Sequence, residues 1–179
     1  MRKLLILMLT MFSLFVLASC GNKDEEAEEL IQYNNDSWVP INEMKKEKMK
    51  ESENKLTRVE DEGKDEEAGT VIEDEIIPIL DDILNEFKAV ELEHKKIKKL
   101  NDLEIAAEEF LKETMEEVAI YYNGGNVSEE DLNQNNNELE EKFQAVIDYR
   151  YELMDEYNLE YVENDESLGN FRNLKRKEE

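Results

Sequence analysis

The chain has 179 residues, 47 of them Asp or Glu against 22 Lys or Arg, giving a formal net charge of −25. So acidic a chain is a poor ligand for nucleic acid, whose affinity for proteins comes largely from neutralising phosphates with Lys and Arg. It has a single cysteine, so no internal disulfide can form and a domain of this size must be held by its apolar core.

The N-terminus carries Arg2 and Lys3, then an almost unbroken apolar run from Leu4 to Ala18. At about 15 residues the run is shorter than the roughly 20 that a spanning helix requires. It closes on Leu17-Ala18-Ser19-Cys20. These four residues resemble the lipobox of bacterial prolipoproteins: a large aliphatic at the third position before the cysteine, small residues next to it, then the cysteine that becomes the mature N-terminus. The resemblance implies a signal peptide over 1–19, cleavage between Ser19 and Cys20, and a diacylglyceryl group, with palmitate-type chains, on the Cys20 sulfur. The protein would then be anchored at the extracytoplasmic face of the cell membrane. One acyl chain holds only marginally and two hold firmly. Removing the signal takes away Arg2 and Lys3 and no acid, so the charge moves from −25 to −27. Gly21 is not the aspartate that resembles a retention signal of two-membrane envelopes, and a composition rich in Lys, Glu, Asn and Ile leans towards a single-membrane bacterium.

Beyond the signal, residues 20–29 read as a lipidated N-terminus and acidic tether. Ala27, Ile31, Asn34, Trp38, Ile41, Met44 or Met49, Ser52, Leu56 and Val59 then follow helical spacing, with a break or kink expected just before Trp38, where Asp36 and Ser37 can cap and Pro40 interrupts. Glu60–Gly69 reads as a loop. Thr70-Val71-Ile72-Glu73 has the form of a capping box, so a second helix is expected from Val71, with the stripe Ile76, Leu80, Ile83, Leu84, Phe87 and Val90 and a bend at Pro78. Glu91–Lys96 reads as a turn, with one continuous helix over 71–122 as the alternative.

A third stripe, Ile97, Leu100, Leu103, Ala107, Phe110, Leu111, Met115, Val118 and Tyr122, stops at Asn123-Gly124-Gly125. Ser128-Glu129-Glu130-Asp131 caps a last helix, with Leu132, Leu139, Phe143, Val146, Ile147, Arg150, Leu153, Met154 and Tyr157 on one face. No segment alternates with the period of a strand. The expected fold is all-α, an antiparallel bundle of three to four helices over 30–161 followed by a flexible tail over 162–179. Such a chain resembles small acidic helical lipoproteins in a general way.

Candidate chemistry is sparse. Glu91 and His94 have the Glu-x-x-His spacing of metal-binding bundles, but such sites need a second copy and two further glutamates, and His94 is the only histidine. The acidic runs Asp24–Glu29, Glu60–Glu67 and Glu129–Asp131 lack the spacing of a calcium loop. A nucleophile system would have His94 as its sole base and no free thiol, so no catalytic residues and no cofactor beyond the Cys20 lipid are expected. Trp38, Tyr149 and Tyr151 are candidate partner contacts: Tyr149 and Tyr151 flank Arg150 and cannot share its helix face. The reading is a non-enzymatic, lipid-anchored cell-surface module that binds a surface protein or wall polymer. The alternative is an extracytoplasmic lipoprotein holding calcium or iron in its acidic clusters. An up-down-up-down path would gather Lys95, Lys96, Lys98 and Lys99 with Arg172, Lys175, Arg176 and Lys177 at the anchored end.

Overall fold

The structure is a computed structural model that describes residues 23–162 and 171–178. The lipobox, Ser19 and Cys20 lie outside the described residues. Four helical rods follow in order. The first, α1, is helical from residue 23, passes through a π-helical turn at Tyr33–Trp38 and continues as Val39–Asp61. The second, α2, comprises Asp65–Val71, a π-helical turn at Ile72–Ile76 and Ile77–Ala89. Rods α3 and α4 span Lys95–Tyr122 and Glu129–Glu156. A two-stranded antiparallel sheet, β1 (Leu159–Tyr161) and β2 (Leu174–Arg176), pairs Glu160 with Lys175. The all-α class holds, and this small sheet is the correction to the expectation of no strands.

Both prolines are accommodated in the same way. A proline lacks the donor for the carbonyl four residues back, and its ring crowds that carbonyl. Pro40 and Pro78 each follow a widened turn, closed by Val39 N–H bonding Asn34 O and by Ile77 N–H bonding Ile72 O. Such i→i+5 turns are rare and relieve the helix locally. Of the break or kink expected before Trp38, the break is absent: Asp36 and Ser37 lie inside a continuous rod, whose irregularity there is the π-helical turn itself.

The expected loop at Glu60–Gly69 shrinks to Glu62–Lys64. Asp65, Glu66 and Glu67 form the first turn of α2, where carboxylates favour the positive end of a helix, and Ala68 and Val71 are buried. Gly69 sits within α2 because the neighbouring turn comes so close: a Cβ there would lie 2.5 Å from Asn123 Oδ1. Thr70 caps nothing, since its hydroxyl donates to Glu66 O one turn back. Between α2 and α3 the chain leaves the helix at Val90–His94, so 71–122 is two helices and the expected turn is present.

The α3–α4 turn follows its local signals. Gly124 has φ +72°, a conformation L side chains rarely adopt, and Ser128 with Asp131 forms a complete capping box. Beyond α4, Asn158 turns the chain with φ +55° and accepts a bond from Lys177 N–H.

Two further expectations are corrected. Residues 23–29 form the first turns of α1, with Ala27 in the core, Tyr157 Oη donating to Glu26 and Glu29 accepting from the backbone of Glu93 and His94. The described part of the tail, 171–178, is fastened: Leu174 is buried, and Arg176 pairs with Asp24 at 2.9 Å. The helix stripes supply three apolar clusters. One joins Leu30, Tyr33, Ile97, Leu100, Leu153, Leu159 and Leu174; a second joins Val71, Ile72, Ile76, Leu80 and Ala119; a third centres on Ile41, Ile83 and Phe87.

Candidate functional site

Four polar side chains that stand among apolar positions are gathered between α1, α3 and α4. Asn34 belongs to the stripe of α1 and Arg150 to that of α4, and both are buried, as are Asn101 and Glu104 from α3. Arg150 donates to Asn34 Oδ1 and to Glu104 Oε1, each at 2.7 Å. Trp38 Nε1 donates to the same carboxylate oxygen. The Arg150 guanidinium also lies 3.8 Å from the centre of the Trp38 ring, adding a cation–π contact in a desolvated setting. Burial pushes the Glu104 carboxyl above its ordinary range, a push that Arg150 and Trp38 oppose. Beside this group, Tyr33 Oη donates to Asn101 Oδ1 and Asn101 donates to Phe87 O. Burial likewise pushes the Tyr33 hydroxyl well above its usual range. No buried side-chain nitrogen or oxygen among the described residues is left without a partner.

The network forms the floor of a pocket of about 360 Å³ between α1, α3, α4 and the C-terminal segment. Trp38, Asn42 and Lys45 line it from α1, Glu104 and Glu108 from α3, Phe143, Ile147, Arg150 and Tyr151 from α4, and Tyr161 and Phe171 from the terminal segment. Its aromatic rings pack edge to face: Trp38 with Phe171 at 5.6 Å and Tyr151 with Tyr161 at 6.3 Å. Lys45 Nζ bonds both oxygens of the buried Glu108 at 2.7 Å and lies over the Phe143 ring. At the rim, Ile147 is 45% exposed and Tyr151 52%.

Trp38 and Tyr151, remote in sequence, are thus brought to one pocket. Tyr149 is not: it faces the other side of α4, under Lys99, whose Nζ is 3.9 Å from the ring centre. Ile147, expected on the buried face, is at the rim instead. Glu91 and His94 are on no common helix face, because residues 90–94 are non-helical. His94 Nδ1 lies 3.0 Å from Glu29 Oε2, a partner on α1 rather than Glu91. Among the described residues no group of three His, Cys, Asp or Glu side chains is placed to hold a metal ion.

The clasp formed by the terminal strand also escaped the sequence reading. Asn34 Nδ2 donates to Arg172 O at 2.9 Å. The Asn35 amide donates to Leu174 O and accepts from Leu174 N–H, mimicking a peptide group at the edge of β2. This holds the segment so that Phe171 covers Trp38. The one available signal was an asparagine standing in an apolar stripe.

Of the cations expected to gather at the anchored end, several are engaged within the protein. Lys96 pairs with Glu156, Lys175 with Glu160, and Arg176 with Asp24.

The fold and site together define an all-α chain with an aromatic pocket whose charged groups are paired with one another. No protein family, no curated protein and no solved structure matches this chain.

Proposed function

We propose that this protein is a lipid-anchored helical bundle at the extracytoplasmic face of the cell membrane. It is not an enzyme, and it binds a surface protein or wall polymer in the pocket between α1 and α4. One observation carries the binding reading: the pocket gathers Trp38, Phe143, Tyr151, Tyr161 and Phe171 around charges already committed to each other, Arg150 to Glu104 and Lys45 to Glu108. Aromatic rings over a desolvated floor favour partner contacts, whereas acid–base chemistry needs a titratable group free to exchange its proton. The anchor rests on Leu17-Ala18-Ser19-Cys20.

Two experiments test the reading. Cys20→Ala should abolish incorporation of a fatty-acid analogue and leave a precursor with its signal attached; equal labelling of mutant and wild type would overturn the anchor. Photocrosslinking from position 151 in intact cells should give a discrete adduct that is lost in Ile147→Asp; an identical pattern in that variant would remove the pocket from the function. Equilibrium dialysis of the full chain against calcium and iron addresses the ion-binding alternative, and stoichiometric uptake tighter than micromolar would favour it.

A further inference from the structure

The outer surface of α4 carries two parallel rows. Phe143, Ile147 and Tyr151 recur at i, i+4 and i+8 along the pocket rim, about 12 Å from first to last at 1.5 Å per residue. Beside them Asp148, Glu152 and Asp155 recur at i, i+4 and i+7, all exposed and in no ion pair among the described residues. The helix as a whole has ten acids against two bases. Both bases are engaged, Lys142 with Glu138 and Arg150 with Glu104. An apolar row flanked on its solvent side by carboxylates in no ion pair, of which Asp148 accepts one bond from Gln144 Nε2, is complementary to a ligand of the opposite pattern, apolar along one edge and cationic along the next.

We infer that the pocket takes a basic amphipathic helical segment of a protein partner. This rests on the pocket being the binding site. Apolar side chains of the segment, one helical turn apart, seat between Ile147, Tyr151 and Lys45, and its Lys or Arg residues lie over Asp148, Glu152 and Asp155. An amphipathic helix laid in a groove is recognised through such i, i+3/i+4 anchors. The flanking charges govern the encounter and its salt dependence more than the final affinity. A polyanionic wall polymer does not fit, because it would meet the carboxylate row with charge of the same sign.

Trp38 is the only tryptophan in the chain and lines the pocket, so its fluorescence reads occupancy directly. The full chain is reconstituted in zwitterionic nanodiscs, with empty nanodiscs as the blank. It is titrated with a synthetic Leu/Lys amphipathic helix, the same composition scrambled to remove the apolar face, a Leu/Glu counterpart and a neutral N-acetylglucosamine oligomer. The Leu/Lys helix should give a saturable change in Trp38 emission. Ile147→Asp, a substitution at an exposed position, should weaken binding about tenfold or more. Joint replacement of Asp148 and Asp155 by Asn and Glu152 by Gln should flatten the salt dependence while leaving part of the affinity. Equal binding of the scrambled peptide, no effect of Ile147→Asp, or a Trp38 response to the N-acetylglucosamine oligomer and not to the helix overturns the inference. In the last case an adduct from position 151 that is still lost in Ile147→Asp would leave the pocket as the binding site and sink only its ligand class, whereas an unchanged adduct would sink both.

Discussion

At the end of the molecule where α1 begins, Leu30, Ile97, Leu100, Leu153 and Leu174 pack around buried Asn34, Asn101, Glu104 and Arg150. At the opposite end Val71, Ile72, Ile76, Leu80 and Ala119 pack without a buried ion pair, and charges meet at the surface, as in Lys48–Asp82 and Lys112–Asp81. The first half of α4 contributes no buried residue at all. The first end is fixed by bonds with directions, which single out one arrangement of α1, α3, α4 and β2. The other is held by apolar area, which is indifferent to small shifts, and by exposed pairs that contribute little. The pocket lies on the directional end, where its aromatic walls are held in fixed relation.

The strongest way to break this contrast is Arg150→Met. It strands the Glu104 carboxylate in the core and should cost about 3–5 kcal/mol in urea unfolding at neutral pH, as removal of one partner from a buried pair does. The double variant with Glu104→Gln should recover part of that loss, because no buried charge is then left uncompensated. A loss below about 1 kcal/mol in the single variant would mean that the network contributes nothing specific.

Two phenylalanines sharpen the comparison. Phe87 is fully buried, whereas Phe110, which the helical stripe places in the core, is half-buried beneath the Lys142 ammonium, 4.7 Å from its ring centre. Phe87→Ala should cost about 3–5 kcal/mol and Phe110→Ala clearly less, about 1–2 kcal/mol. Equal losses would show the surroundings of Phe110 to be as tightly packed as those of Phe87.

The smallest effect belongs to the α4 cap. Ser128→Ala should cost about 1 kcal/mol and speed amide exchange over the first turns of α4 without altering exchange near Arg150. Bonds from the Ser128 hydroxyl and backbone hold the Asp131 carboxyl below its ordinary range. A lowered folded-state value gives stability that is present above the unfolded value and is lost as pH falls through the folded one. The difference between wild type and Ser128→Ala should therefore shrink on acidification from pH 5, and a difference that grows would refute the capping role.

The stop at Asn123-Gly124-Gly125 and the start at Ser128 were legible in the sequence because a positive φ and an N-cap are settled within four residues. The helical stripes of α3 and α4 were legible because periodicity records which face is buried, though not against what. For the same reason the stripe misplaced Ile147 and overstated Phe110, and it could not say that Asn34 and Arg150, standing at core positions, were partners. The acidic stretch before Val71 became helix where α2 packs against the Asn123 turn, and the end of the tail became a strand because β1 pairs with it on one side and Asn34 and Asn35 offer it bonds as well. The sequence alone determined the elements whose causes lie within a turn or two of the chain. The tertiary structure alone decided the Arg150–Glu104 pair, the clasp and the pocket, because each rests on groups far apart in sequence whose bonds are worth making only once water has been excluded from between them.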